Sequence, residues 1–515
     1  MPTAHIYNYA LNPDNLDRGV QTLRHSYDIV PTKPVETGNQ RQLLMDRHIV
    51  ASLNGCYRTV HQPQKHPDNP LISPTQPHEG TGPVPHGVVL RDPQTHLFRF
   101  WTPVNDPAMA QRRGNGPDTS RMIYYESDDG LTWRQPKLGL YELEGSSDNN
   151  IFFDPGLGRH DNLNVLPLPR RLHDRGRYAM LYSQGIKPEL LETTPYQHKS
   201  SYRIAFSDDA IHWKDAPENP VLFGRSDSYN CLVYNDDRDV FMLYRRTTIN
   251  AGEIRRIAYL ESKDMVSWTQ PIPAIDHDEL DPLMHYAMPV CHYHGIYLGL
   301  LWCLHMHPHQ ENTSLGNGKD FCMDTDLAWS RDGVNWQRHP KRPTFIPTSP
   351  PYQGNCDWGT AVGQPNFIEM DDHVRIYYGG SESLHGPGVQ SDAEAPHHLC
   401  LGTLRRDGFV SIDAGEDGGY MLTRPLAYPG GKLHINARTE SDGFIRAAVR
   451  EGEGVRDGEW PSKFRFDKSV PFTGDSLDHV LMWKDAQTLE SFPSRTLRLH
   501  IWMEKAQLYS FWFGK

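Results

Sequence analysis

Four copies of one short signature constrain this chain more than any other feature of it. The segments ESDDGLTWRQP (126–136), FSDDAIHWKDA (206–216), ESKDMVSWTQP (261–271) and WSRDGVNWQRH (329–339) share Ser-x-Asp-x-x-x-Trp. A repeated unit changes the meaning of every motif inside it. At this spacing the Ser and Asp oxygens can accept backbone N–H groups of a tight turn, while the Trp packs inward between sheets. The signature therefore reads as scaffold rather than catalyst.

A second repeat lies upstream of the first. Five segments, starting at His86, Asp161, Asp227, His285 and Asp357, each hold a β-type run, a polar turn and a second run rich in aromatic and aliphatic residues. Radial repetition of such units, with room for four strands in each, predicts an all-β, five-bladed β-propeller. The fifth segment ends in LCLGTLRRDGFVSIDAG (399–415), with RRDGFVS where the Trp signature would stand. Closing the ring requires an N-terminal strand, QLLMDRHIV (42–50) or CYRTVHQ (56–62), in the last blade.

Alignment of the repeats also decides RDPQTH (91–96), which fills the slot between first and second strands. Pro fixes φ and Asp caps a turn, so Asp92 is expected to close a hairpin. After residue 420 the pattern changes. KLHINA, FIRAAVRE, SVPFTGDSLDHVLMW, TLRLHIWME and AQLYSFWF read as short strands of a β-sandwich. The expected division is an N-terminal arm over 1–42, a propeller over 43–420 and a C-terminal β-sandwich over 421–515.

Composition excludes several classes of function. The formal net charge is −12 and Lys and Arg do not cluster, which disfavours a nucleic-acid partner. No apolar run reaches the length of a spanning helix, and MPTAHIYNYALNPDN lacks a signal-peptide pattern. The seven cysteines are scattered without Cys-x-x-Cys, so reduced, mostly buried thiols and a cytoplasmic setting are expected. The arm suggests a homo-oligomer.

In the signature copies, the five strand pairs and the order of propeller before sandwich, the chain resembles the five-bladed β-propeller glycoside hydrolases over residues from about 45 to 515. These include the fructosidases of family 32, the arabinan-degrading family 43 and the mannoside phosphorylases. The fructosidase opening Trp-x-Asn-Asp-Pro-Asn is absent where blade one begins. Asn105-Asp106-Pro107 instead follows a second strand, which points away from a fructoside.

The resemblance implies catalytic aspartates at the beginning of innermost strands, here the positions His86, Asp161, Asp227, His285 and Asp357. Glycoside cleavage needs an acid for the leaving oxygen and a carboxylate acting at the anomeric carbon; a third carboxylate nearby raises the pKa of the acid. Asp227 and Asp357 are expected to take these two roles, unordered, with Asp161 as stabiliser. Glu382 and Glu279 are rivals for the acid.

His86, His285, Tyr229, Tyr286, Trp358, Arg245, Arg246 and Arg255 are candidates for binding sugar through aromatic faces and planar polar groups. His305, His307 and His309 alternate in HMHPH, but no carboxylate or Cys completes a recognised motif, so neither metal nor cofactor is expected. The expected activity is hydrolysis of a glycosidic bond in carbohydrate metabolism or polysaccharide degradation. A phosphorylase or transglycosidase, or a non-catalytic carbohydrate-binding propeller, is the alternative.

Overall fold

The computed structural model describes residues 33–105, 120–154, 162–185, 200–224, 228–249, 254–306, 321–351, 353–385, 395–452, 462–484 and 488–515. The chain divides into two compact units. One combines residues 33–59 with 407–515, and the other spans 60–406. The second unit is thus an insertion between two segments of the first. Among the described residues the regular structure is β-strand, with 3-10 turns of three residues. No helix there is long and apolar enough to cross a membrane.

Residues 60–406 form the five-bladed propeller, each blade an antiparallel sheet. Blade one is Val88–Arg91, Phe98–Asn105, Ser120–Ser127 and Ile151–Phe153. Blade two is Leu163–Pro167, Tyr178–Gly185 and Ser200–Ser207, with Lys214–Asp215 and Leu222–Phe223 sharing its outer edge. Blade three is Cys231–Asn235, Val240–Ile249, Ile254–Ser262 and Ile272–Pro273. Blade four has Met284–Ala287 and Val290–Tyr293 innermost, then Ile296–Leu304 and Met323–Ser330, then Gln337–Arg338 and Thr344–Ile346. Blade five has Thr360–Gly363 and Ile368–Glu369 innermost, then His373–Ser381 and His397–Arg405.

The outermost strand of blade five is Gln64–Lys65, whose Cα partners are Thr403 and Gly402. Closure from the N-terminal side was expected, but from 42–50 or 56–62. Residues 42–50 are held elsewhere because Leu44, Ile49 and Val50 belong to the core of the other unit.

The ring closes through apolar contacts between successive blades. Trp101 and Tyr124 of blade one cluster with Met180 of blade two, and Leu181 and Ile204 of blade two with Leu243 and Leu260 of blade three. Met242 and Tyr244 of blade three meet Leu301 and Ala328 of blade four. Trp302 of blade four donates its indole N–H to the Gly363 carbonyl of blade five at 2.8 Å. Tyr377, Leu399 and Leu401 of blade five join Val89, Phe98 and Phe100 of blade one.

The repeated signature forms the same turn each time. Asp129 Oδ1 accepts the N–H groups of Leu131 and Thr132 at 2.7 and 2.8 Å, and Ser127 Oγ accepts that of Gly130 at 2.8 Å. Asp209, Asp264 and Asp332 repeat this pattern with Ser207, Ser262 and Ser330. The residue after each Asp is left-handed: Gly130, Ala210, Met265 and Gly333 have φ of 71°, 63°, 64° and 75°. That conformation exposes a carbonyl which the preceding blade uses. Tyr377 donates to Gly130 O (2.7 Å), Trp101 to Ala210 O (2.8 Å) and Tyr244 to Gly333 O (2.5 Å). The signature is therefore a latch between blades as well as a turn. Asp92 is a hairpin cap as expected, accepting from Gln94 and Thr95 N–H at 2.9 Å each.

The unit of residues 33–59 and 407–515 is a β-sandwich built on two long antiparallel strands, Lys432–Glu451 and Thr496–Gly514. Along its other edge the latter pairs in turn with Leu426–Ala427, Gly419–Thr423, Val410–Ala414 and Gln42–Leu43. Five short strands were expected, but KLHINA fuses with FIRAAVRE, and TLRLHIWME with AQLYSFWF. Irregularities absorb the change of phase. Buried Leu497, Leu499, Ile501 and Met503 alternate until Lys505, whose φ is 45°, after which Ala506 and Leu508 are buried. The division differs from 1–42, 43–420 and 421–515, because Val50–Asn54, Cys56–Val60 and Val410–Ala414 all carry sandwich strands. Of the expected arm, residues 1–32 lie outside the described residues.

Burial alone would raise the carboxyls of Asp129, Asp209, Asp264 and Asp332, but the backbone N–H bonds outweigh it and hold all four below the usual range. A depressed folded pKa gives stability that is present above the unfolded value of about 3.9 and lost as pH falls through the folded one. The urea midpoint should hold between pH 7 and 5 and drop below about pH 4. Replacing all four aspartates by Asn should flatten that drop; an unchanged acid limb would contradict the role given to the turns.

Candidate functional site

The starts of the innermost strands gather around one buried indole. Trp302, from the second strand of blade four, is fully buried. The His86 ring stacks on it with centroids 5.6 Å apart and planes at 18°. Tyr229 lies 5.9 Å away, and Tyr286 stacks at 6.5 Å and 16°. His385, just beyond the second strand of blade five, meets the Tyr286 ring edge-on at 4.9 Å.

Blade two enters through amides: Asn164 Nδ2 donates to the Tyr229 hydroxyl, and Asn162 Oδ1 accepts the Asn230 N–H at 2.9 Å. Ser228 Oγ donates to the Tyr286 carbonyl at 2.8 Å, tying blade three to blade four. All five blades thus reach one aromatic and amide cluster.

Two guanidinium groups flank Tyr286, Arg246 at 5.1 Å and Arg255 at 4.9 Å from the ring centroid. Burial lowers the pKa of Arg246. Arg255 Nη1 is buried and has no hydrogen-bond acceptor among the described residues. Arg245 faces elsewhere, over the Tyr202 ring at 5.0 Å.

The carboxylates expected at the ring fare differently. Asp161 and Asp227 lie outside the described residues, but their neighbours Asn162 and Ser228 are both fully buried in the cluster. Asp357 is 3% exposed. Its Oδ2 lies 2.6 Å from Lys65 Nζ on the closing strand and accepts from the Tyr378 hydroxyl at 2.9 Å. Lys65 also donates to Ser349 Oγ at 2.9 Å. Asp357 is therefore engaged in ring closure, a role that requires a cation 292 residues away and left no local trace in the sequence.

His285 is fully buried, with Nε2 3.6 Å from Asp281 Oδ1. Burial lowers its pKa, outweighing the pull of Asp281. Trp358 is half-buried, and its carbonyl accepts from the Cys322 thiol at 3.7 Å. Glu279 is exposed in a turn that Asp278 caps through the Leu280 N–H. Glu382 is exposed at the end of the strand leading to His385, with Oε1 3.8 Å from His398 Nε2.

Among metal-capable side chains, Cys303, Asp324 and Asp326 are buried with ligand atoms within 4.8 Å of one another. His305 Nε2 lies 2.8 Å from Asp324 Oδ1, while His307 and His309 fall outside the described residues. Trp302 and His385 were not singled out from sequence. LGLLWCL reads as an ordinary core strand, and a lone His after a Gly-Gly-Ser run carries no spacing signal. At the far end of the innermost strands is a cavity of about 390 Å³, lined by Leu166, Leu232, Tyr234, His292 and Phe367 among others.

No protein-family model matches the chain, and no curated protein sequence matches it. Several solved structures similar to it are described as glycoside hydrolases. One described as a glycoside hydrolase is 15% identical, with a TM-score of 0.43 over 67% of this chain and 92% of that one. The catalytic domain of the Coprinopsis cinerea GH62 α-L-arabinofuranosidase is 11% identical, with a TM-score of 0.41 over 68% and 98%. An N-acetylgalactosamine deacetylase from F. plautii, in complex with blood group B trisaccharide, is 15% identical, with a TM-score of 0.42 over 69% and 97%.

If Asp357 serves ring closure, Lys65→Met should leave a buried carboxylate without its cation and cost about 3 kcal/mol, the lower end for a broken buried pair. Urea unfolding followed by tryptophan fluorescence measures this. A midpoint equal to that of the parent protein would contradict the assignment.

Proposed function

We propose that this protein is a glycoside hydrolase whose substrate enters the axial end of the propeller where His86, Tyr229, Tyr286 and His385 gather. The supporting observation is the arrival of all five blades at that one cluster, joined by the Asn162 to Asn230 bond. Aromatic faces suit the C–H faces of a sugar ring, while amides and guanidinium groups suit its hydroxyls.

On this reading Asp161 and Asp227 are the carboxylate pair. They precede Asn162 and Ser228, whose buried side chains belong to the cluster. Glu382, exposed near His385, remains a rival for the acid. Asp357 is set aside, because its ion pair with Lys65 gives it a structural task. One carboxyl protonates the leaving oxygen, and the other acts at the anomeric carbon directly or by activating water.

The test is a panel of aryl glycosides and short oligosaccharides, with product anomers followed by NMR. Asp161→Asn and Asp227→Asn should each lower kcat by about 10²-fold or more, since general acid–base groups contribute on that scale. Asp357→Asn should lose stability while keeping kcat per folded molecule within about 3-fold, well short of such a loss. Full activity in both of the first two variants would overturn the pair. Phosphate-dependent release of a sugar phosphate would instead identify a phosphorylase.

A further inference from the structure

We propose that Cys356 and Cys400 are a thiol pair that forms a reversible disulfide and locks the fifth blade in its closed form. Their sulfur atoms are 3.5 Å apart. Cys356 stands immediately before Asp357, on the approach to the innermost strand, and Cys400 lies in the third strand as the Cα partner of Tyr378. A bond between them would span the second strand and fix the backbone beside the carboxylate that holds Lys65.

The site has room for the bond. A Cβ built on Gly380 would lie 3.1 Å from Cys400 Sγ, from the Cys356 carbonyl oxygen and from Asp357 Cβ, so this glycine keeps open the space where the three residues meet. A disulfide needs sulfurs at about 2.05 Å, within reach of modest side-chain rotation from contact distance. Cys356 is half-buried and so accessible to a small oxidant, whereas Cys400 is buried.

The hydrogen bond with Cys400 lowers the pKa of Cys356 against the effect of burial, which favours Cys356 as the attacking thiolate. By contrast, burial raises the thiols of Cys231, Cys291 and Cys303. Burial raises the Cys400 thiol too, so geometry sets the pair apart from the other cysteines, and reactivity distinguishes Cys356 alone.

With a small-molecule disulfide such as glutathione disulfide as oxidant, the steps balance. The Cys356 thiolate attacks one sulfur of the oxidant and expels a thiolate, which takes up a proton. Cys400 loses its proton and attacks the sulfur of Cys356 in the mixed disulfide, expelling the second thiol. Two protein S–H groups become one S–S bond, and the oxidant is reduced by two electrons to two thiols.

The experiment equilibrates the full chain in glutathione buffers of graded potential, quenches with an alkylating reagent and maps peptides by mass spectrometry. The expected result is one cross-linked species joining the peptides of Cys356 and Cys400, absent from Cys356→Ser and Cys400→Ser. The oxidised protein should melt about 5 °C or more above the reduced one, and dithiothreitol should reverse the gain. Recovery of both residues as alkylated thiols, a terminal glutathione adduct on Cys356, or cross-links to other cysteines would each overturn the proposal. Because Cys356 is half-buried, Cys356→Ser serves as the control even if the buried Cys400→Ser variant fails to fold; reduced Cys356→Ser should melt with the reduced parent.

Discussion

The structure depends on a carbonyl group that the chain turns outward on purpose. Wherever the signature recurs, Ser and Asp take up the N–H groups of the turn and force the next residue into the left-handed region. Two of those residues are glycine, which accepts that conformation freely, but the others are Ala210 and Met265, which do so at a cost of order 1 kcal/mol. In three of the turns the exposed carbonyl then receives a phenol or indole donor from the preceding blade. A local turn is thereby converted into an inter-blade bond, and the blades are fixed in angle as well as in contact.

That rigidity explains why the axial cluster can be assembled from single residues on separate sheets. His86, Asn162, Ser228, Tyr286 and His385 each come from a different blade, and none is near another in the chain. Their stacking and hydrogen bonding about Trp302 require the blade angles to be set elsewhere. The latch carbonyls lie on the turns that follow the third strands, and their donors lie on second strands of the preceding blade.

The periodic part of the fold was legible in the sequence because its causes are local. The strand pairs, the Ser and Asp turns and the cap role of Asp92 depend on residues a few positions apart. The ring positions were drawn from repeat alignment together with the family resemblance, which brought His86 and, beside His285, Tyr286 into view. What escaped depends on distant partners. Nothing near Asp357 announces Lys65, and nothing near KLHINA announces that its strand continues through bulges into FIRAAVRE. Boundaries failed for the same reason. Residues 43–59 carry β-pattern enough for either unit, and only the apolar core containing Leu44, Ile49 and Val50 assigns them to the sandwich.

The ring closed by Gln64–Lys65 also has a history in time. Asn69 bonds Leu401 across 332 residues, so the strand that completes the last blade leaves the ribosome first. At 5–20 residues per second it must wait about 20–70 s for its partner. Such long-range pairing makes folding slow, and an unpaired edge is ordinarily a template for aggregation during the delay. Here the waiting strand is only two residues long and carries a lysine. It offers too little backbone to recruit another chain, so the feature that makes closure late also makes the delay safe.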